Sequence, residues 1–229
     1  MSFISNNIIW EVYKNIYKMI DYRNIILEKS SQFNENEEDF MNTIIHKKYI
    51  YLCGKNRHNN YCLIILVHGD ILSKTDSTRT MIRNVYLDFK KSHEDFDKDK
   101  TGKEKIEFII IGDNIGKNIY KQTKLEFSNK KSQHETIAQL YKNAEIHLYA
   151  FKYFKIEVPK GPNCFPHIIM SEEEKEAFLN SQLIDINDLP KILTTDVQII
   201  WIGAKKGDLI KIVRRSPQSG EEIYYRYVK

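Results

Sequence analysis

Apolar residues recur at Ile9, Val12, Tyr13, Ile16 and Ile20, three or four positions apart, which lays one continuous stripe along a helix. The spacing predicts a first helix over about 6–28. Phe40, Met41, Ile44 and Ile45 repeat the helical step over a shorter stretch and predict a second. The period then changes. KYIYLC (48–53) and NYCLIILV (60–67) are rich in β-branched and aromatic residues, with turn residues GKNRHN between them, so they predict a hairpin. IEFIII at 106–111 is almost unbroken, as in a strand buried on both faces. Residues 80–89 read as a crossover helix, which gives a strand, helix, strand unit of α/β type. KKSHEDFDKDKTGKEK (90–105) mixes charges without an apolar period and predicts a solvated loop.

The last third reads differently. All five prolines lie there, and Pro159, Pro162 and Pro166 crowd one short segment, so 156–166 reads as a proline-rich connector. Ser171 and Glu174 then form a capping box ahead of EEEKEAFL, which predicts a helix over 172–180. DLPKI reads as an edge strand begun by Pro190. Thr195 or Asp196 can cap a second short helix, VQIIWI, stopped at Gly203. KKGDLIKIVRRS and EEIYYRYVK, joined by PQSG, close the chain with a hairpin. Leu209, Lys211 and Val213 share one face of it and Ile210 and Ile212 the other; on the partner strand Ile223, Tyr225 and Tyr227 oppose Tyr224, Arg226 and Val228. Each large apolar side chain is worth roughly 1.5–3 kcal/mol when fully buried, so both faces call for a cover, from the domain's own helices or from another chain. The expected plan is an α/β domain over 1–155, the connector, and a small α+β domain over 167–229.

Composition narrows the classes. With 9 glycines, 5 prolines and 41% hydrophobic residues in 229, the chain is neither collagen-like nor linker-like, and it can fill a core. Its longest uncharged apolar run, Cys62 to Val67, is far below the ~20 residues of a membrane span, and MSFISNNIIW lacks the basic start of a signal peptide. A soluble intracellular protein with no membrane partner is expected. Cys53, Cys62 and Cys164 cannot all pair and show no C-x-x-C spacing, which predicts reduced thiols and no zinc or redox motif. The net charge is +4, and the stretch Gly203 to Lys229, with seven basic residues against Asp208, Glu221 and Glu222, carries all of it.

The motifs that suggest catalysis fall short. GDNIGKN follows the predicted IEFIII strand, but only three residues separate Gly112 from Gly116 and Asn118 stands where a P-loop needs a hydroxyl, so a plain βα turn is the better reading. His134-Glu135-Thr136-Ile137-Ala138 lacks the second histidine of a metalloprotease helix. A restriction-type nuclease wants an acid on one strand and E-x-K on the next. None is visible near IEFIII, and Glu173 with Lys175 falls in a predicted surface helix. No G-x-S-x-G occurs and the seven histidines are scattered. No catalytic residue, no metal ligand and no cofactor site is expected.

PHIIMSEEEK, LPKI, Asp196, WIGAKKGDLIKIVRRS and YYRYV together resemble the C-terminal domain of the RNA polymerase subunit five family, which includes the subunit shared by the three eukaryotic nuclear polymerases, its shorter archaeal counterpart and homologues in large DNA viruses. The matching positions include His167, Met170, Leu189, Pro190, Ile192, Gly203, Lys206, Gly207, Ile212, Arg214, Ser216, Gly220, Tyr225, Arg226 and Val228. WEVYKNIYKMIDYRNI looks like the family's first helix, so the likeness extends to the full-length eukaryotic or viral type. Val197 replaces the family's proline after the capping aspartate, and EVPKGP replaces a polar segment ahead of the domain.

The resemblance implies a non-catalytic subunit of DNA-directed RNA polymerase. It implies a restriction-endonuclease-like α/β jaw domain near downstream DNA, followed by an α+β assembly domain that docks on the largest subunit and touches small subunit six. By charge and position the docking residues are expected to be Lys206, Gly207, Arg214, Arg215 and Arg226, with Trp201, Tyr224 and Tyr225 as an aromatic core. Gly112, Gly116, Lys117, Lys121 and Lys124 align with the family's DNA-facing turn and predict a weak, sequence-independent contact with duplex DNA. Divergence and an Ile, Lys and Asn-rich sequence favour a viral homologue, acting in the virion or at the host-cell transcription site; a cellular one would be nuclear. The alternatives are a free-standing DNA-binding factor and a degenerate restriction-like nuclease.

Overall fold

In the computed structural model, residues 6–28, 36–93, 96, 105–116, 118–119, 121–123, 144–162, 164–216 and 220–229 are described. The chain divides into two compact units, Met1–Lys155 and Ile156–Lys229, each of mixed helix and sheet.

In the first unit, helix α1 (Asn6–Tyr22) buries its whole predicted stripe, with Ile9, Val12, Tyr13, Ile16 and Ile20 all inaccessible. It stops six residues earlier than the apolar pattern suggested. Asn24 takes a left-handed φ of 52°, which asparagine tolerates, and Ile26–Leu27 become a short strand β1. Helix α2 (Glu37–Lys47) is capped by the Asn36 side chain, which accepts from the amide of Glu38 at 2.9 Å, and three acids occupy its positive first turn. Phe40, Met41 and Ile44 are buried; Ile45, expected on the same stripe, is exposed. Tyr13 stacks on Phe40 with centroids 4.1 Å apart, joining the two helices.

The hairpin forms as expected from β2 (Tyr49–Lys55) and β3 (Tyr61–Val67), antiparallel, with Cys53 opposite Leu63. β1 adds to the free edge of β2. Gly54 permits this, because a Cβ there would lie 2.7 Å from the Ile26 carbonyl oxygen. The crossover helix α3 (Thr75–Ser92) carries the chain to β4 (Ile106–Gly112), which runs parallel to β3, and β5 (Ala144–Ala150) runs parallel to β4. The sheet order is thus β1-β2-β3-β4-β5. Every residue of β4 is buried, as its unbroken apolar run requires. Odd residues of β2 and β3 and even residues of β4 and β5 pack with Met81, Ile82, Val85, Tyr86 and Phe89 of α3. The opposite sheet face carries Cys62, Glu107, Glu145, His147 and Tyr149. α3 also claims Lys90, Lys91 and Ser92 from the segment expected to be a loop, and Phe96 packs on Tyr61 and Phe89. Most of the remainder of 90–105, and the HETIA segment, lie outside the described residues.

In the second unit, the sheet order is β6 (His167–Ile169), β8 (Leu209–Ser216), β9 (Gly220–Val228), β7 (Lys191–Ile192). Helix α4 (Glu172–Gln182) begins with the predicted capping box: Ser171 Oγ accepts from the Glu174 amide at 3.2 Å and Glu174 accepts from the Ser171 amide at 2.8 Å. Helix α5 (Val197–Ile202) is capped by Asp196, which accepts from the Gln198 amide at 2.8 Å; Gly203, at φ 70°, ends it. α5 covers one sheet face, where Ile199 and Ile202 meet Ile192, Ile210, Ile212 and Val228. α4 lies on the other, with Phe178 stacked on Tyr225 at 3.9 Å. The proline-rich stretch is built into this unit: Val158–Lys160 forms a 3-10 turn, the Cys164 amide donates to the Gly161 carbonyl, and the Val213 amide donates to the Pro166 carbonyl at 3.1 Å, extending the β8 ladder.

Candidate interaction surfaces

The hairpin register separates the expected docking residues into two sets. Arg214 stands opposite Glu222 and Ile212 opposite Tyr224, so Arg214, Tyr224 and, further along, Arg226 share the α5 face. Arg215 and Tyr225 point to the α4 face. On the first face the Arg214 guanidinium lies 4.5 Å from the Tyr224 ring centroid and 5.2 Å from that of Phe165. Tyr224 donates its hydroxyl to Glu222 at 2.6 Å; that bond to a carboxylate raises the phenol pKa, with the negative charge of Glu222 adding to it. Phe165 was not singled out as a site residue. Its position, seven residues before the start of α4 in a proline-rich stretch, gave no periodic signal.

The remaining positions differ in availability. Trp201, expected in the aromatic core of the interface, is fully buried, so a docking partner cannot reach its ring. α5 presents it inward because Ile199, Ile200, Trp201 and Ile202 fill almost the entire circumference of a six-residue helix. Gly207 spends its amide on Val228 O at 3.0 Å and its carbonyl on Lys175 Nζ at 3.2 Å. Lys206 and Arg215 are exposed; Arg226 reaches the Lys191 carbonyl at 3.4 Å. Ile223, read from sequence on an apolar hairpin face, is 47% exposed on the α4 face, and Ile168, not singled out there, is 49% exposed on the same face; both leave apolar area uncovered beyond Phe178.

In the first unit, the expected DNA-facing glycines have a packing cause. Gly112 is the buried last residue of β4, and a Cβ there would collide with Leu72 Cδ1. Gly116 donates its amide to Leu72 O at 3.0 Å and has Ser73 O 3.0 Å from where its Cβ would be. Both glycines let the turn after β4 lie against the 3-10 turn Asp70–Ser73. Asp113 is turned inward, accepting from the Gly69 amide at 3.1 Å and lying 3.0 Å from His68 Nδ1. Lys121 is exposed on a short helical stretch over 121–123, behind the buried Ile119. Lys117 and Lys124 lie outside the described residues.

No E-x-K pairing was expected near the IEFIII strand, and none stands there among the described residues, but the structure does bring two acids together beside it. Parallel pairing sets Glu107 of β4 beside Glu145 of β5. His147 Nε2 lies 3.4 Å from Glu107 and 3.3 Å from Glu145, and Arg23 lies 3.7 Å from Glu107. Cys62 Sγ donates to Glu107 at 3.8 Å, and the Arg23 guanidinium faces the Tyr149 ring at 5.6 Å. Two carboxylates therefore converge, but among the described residues an arginine and a histidine accompany them rather than a lysine. The Arg23 guanidinium stands against Glu107 as its countercharge. An E-x-H pattern and a strand-pairing register that sequence does not show explain why this cluster escaped notice.

The fold is that of a small protein of two compact units, each of mixed helix and sheet. The family model of the RNA polymerase Rpb5 C-terminal domain matches residues 157–228. The DNA-directed RNA polymerase subunit Rpo5 of Thermococcus kodakarensis is 48% identical over 62 residues, which cover 27% of this chain and 76% of that subunit. That of Nitrosopumilus maritimus is 44% identical over 79 residues, covering 34% of this chain and 95% of the archaeal one. The DNA-directed RNA polymerase RPB5 homolog of African swine fever virus is 22% identical over 225 residues, 95% of this chain and 96% of the viral one. The chain belongs to the RNA polymerase subunit five family, and its likeness over nearly the full length is to the viral form.

Proposed function

We infer that this protein is a non-catalytic subunit of a viral-type DNA-directed RNA polymerase, working where that polymerase transcribes, in the virion or the infected cell. The second unit docks on the largest subunit and borders small subunit six. The first unit is a restriction-endonuclease-like jaw that lies near downstream duplex DNA and touches it weakly. One observation carries the reading: the archaeal relatives, named as polymerase subunits, match only 62 and 79 residues of this chain yet are covered over 76% and 95% of their own lengths, and the family model that matches lies at 157–228, within the second unit. This supports assigning attachment to the polymerase to that unit.

The Arg214, Tyr224 and Phe165 cluster supports a docking role. Its rings and guanidinium are partly accessible, and Arg214 Nε is buried with no hydrogen-bond partner among the described residues. The test is affinity purification of the tagged full-length chain from the native source. Recovery of the large polymerase subunits with the wild type, and their loss with Arg214→Glu, is expected. A wild-type preparation that brings down DNA alone would favour a free-standing DNA-binding factor.

A further inference from the structure

Glu28, Cys53 and His93 meet on the α3 side of the first unit's sheet, with three possible ligand atoms within 4.8 Å of one another. Each comes from a different element. Glu28 follows β1 and donates its amide to the Cys53 carbonyl at 3.0 Å; Cys53 is on β2; His93 caps the C-terminus of α3. None takes part in the surfaces described above.

The histidine ring poses a proton-counting problem. Nδ1 lies 2.9 Å from the Phe89 carbonyl oxygen, and Nε2 lies 2.8 Å from Glu28 Oε1. Both oxygens accept hydrogen bonds, whereas a neutral imidazole has a single N–H. The ring is held between Phe89, stacked at 4.4 Å, and the edge of Tyr61 at 5.1 Å, so it keeps this orientation. With Nδ1–H given to Phe89, the Nε2 lone pair faces a carboxylate. A second ring proton resolves the conflict at this 2.8 Å separation, and so does a cation that replaces that proton as the two side chains move slightly apart; a histidine that ligates a metal through Nε2 while its Nδ1–H binds a backbone carbonyl is the usual arrangement.

Cys53 supplies the soft ligand. Burial, and then the charge of Glu28, push its thiol far above the usual range, so the metal-free site holds a neutral thiol. We propose that Glu28, Cys53 and His93 bind a divalent cation of the zinc class, with three protein ligands and water in the fourth position. Binding exchanges the Cys53 proton, released to solvent, for a metal–thiolate bond, with no change of oxidation state. The ion would pin the edge strand β1 and the end of α3 to β2.

The test uses the full-length chain, stripped with chelator and titrated with Co2+. One equivalent is expected to give a sulfur-to-cobalt charge-transfer band and tetrahedral visible absorption, both removed by Zn2+. Cys53→Ser should abolish the charge-transfer band, whereas Cys62→Ser and Cys164→Ser should retain it. His93→Gln should weaken binding about tenfold or more, by the scale seen when metal sites lose supporting groups, and should cancel the rise in Tm that Zn2+ gives the wild type. Circular dichroism of the His93→Gln chain guards against misfolding as the cause. A band that survives Cys53→Ser, or a wild type with neither colour nor Zn2+-dependent Tm, overturns the proposal and leaves His93 and Glu28 as a hydrogen-bonded pair.

Discussion

Arg214 lies with its guanidinium 4.5 Å from the Tyr224 ring, and the carboxylate that takes the Tyr224 hydroxyl, Glu222, is the residue directly across the ladder from Arg214. The three form a connected set in which the cation faces the ring and the ring's hydroxyl binds the carboxylate. A planar cation is essential to it, because guanidinium stacks on a ring where an ammonium acts as a point charge. Recovery of polymerase subunits by the tagged full-length chain should fall in the order wild type, Arg214→Lys, Arg214→Glu, and Lys121→Glu should leave it unchanged. Equal recovery by Arg214→Glu and the wild type would remove the cluster from the docking surface.

The second unit's helices rest on two local devices. Ser171→Ala should lower its stability by about 1 kcal/mol through loss of the amide of Glu174 as a capped donor. Gly203→Ala should cost about 1–2 kcal/mol, because φ 70° crowds a Cβ against the backbone. Denaturant unfolding of the full chain, followed at the second unit's transition, reads both.

Periodicity revealed the elements that one face of burial dictates: α1 by Ile9 to Ile20, β4 by its continuous apolar run, and the β8–β9 hairpin by alternation. It failed where tertiary partners redefine a residue. Ile25, Ile26 and Leu27 prolong an apolar pattern that reads as helix, yet Asn24 turns the chain and Gly54 leaves room for a strand. β5 went unnoticed because Glu145 and His147 make AEIHLYA look polar, although both face Glu107 across a parallel pairing no local rule announces. Trp201 looked like an interface aromatic because the sequence does not show that α5 is enclosed on nearly all sides. The Glu28, Cys53 and His93 cluster joins residues up to 65 positions apart and was equally invisible.

Stability should decline at alkaline pH. Burial raises the Cys53 thiol above its ordinary 9.0 and the Tyr17 phenol above 10.0. The folded form therefore keeps protons that the unfolded chain surrenders above about pH 9–10. This stabilisation is complete below those ordinary values and is lost as pH rises towards the folded ones. Thermal scans from pH 7 to 10.5 should show Tm falling, and Tyr17→Phe should flatten the upper part of the curve. A Tm indifferent to pH above 9 would count against both assignments.

Duplex DNA should bind the isolated chain weakly. Lys117, Lys121 and Lys124 can neutralise three phosphates at most, which predicts a log-log salt slope of no more than about −2.7 and an affinity weaker than micromolar at physiological salt. Fluorescence anisotropy with duplexes of unrelated sequence should give the same curve for each. A steep slope with submicromolar affinity would point to a free-standing DNA-binding factor.

Arg23 and Glu107 decide between a structural and a vestigial chemical role for the acidic cluster. Both side chains are almost fully enclosed, 5% and 10% exposed, and 3.7 Å apart. Removing one partner leaves the other buried charge less well compensated in a medium of low dielectric, whereas replacing both with apolar groups removes the desolvation problem. Glu107→Ala should therefore destabilise the first unit by about 3–5 kcal/mol, and Arg23→Met with Glu107→Leu should recover most of that loss. If the pair is structural, the purified chain incubated with Mg2+ and plasmid DNA cleaves nothing, and the double variant still copurifies with the polymerase. Cleavage that persists through purification and disappears with Glu145→Gln would instead make these carboxylates metal ligands and restore the nuclease alternative.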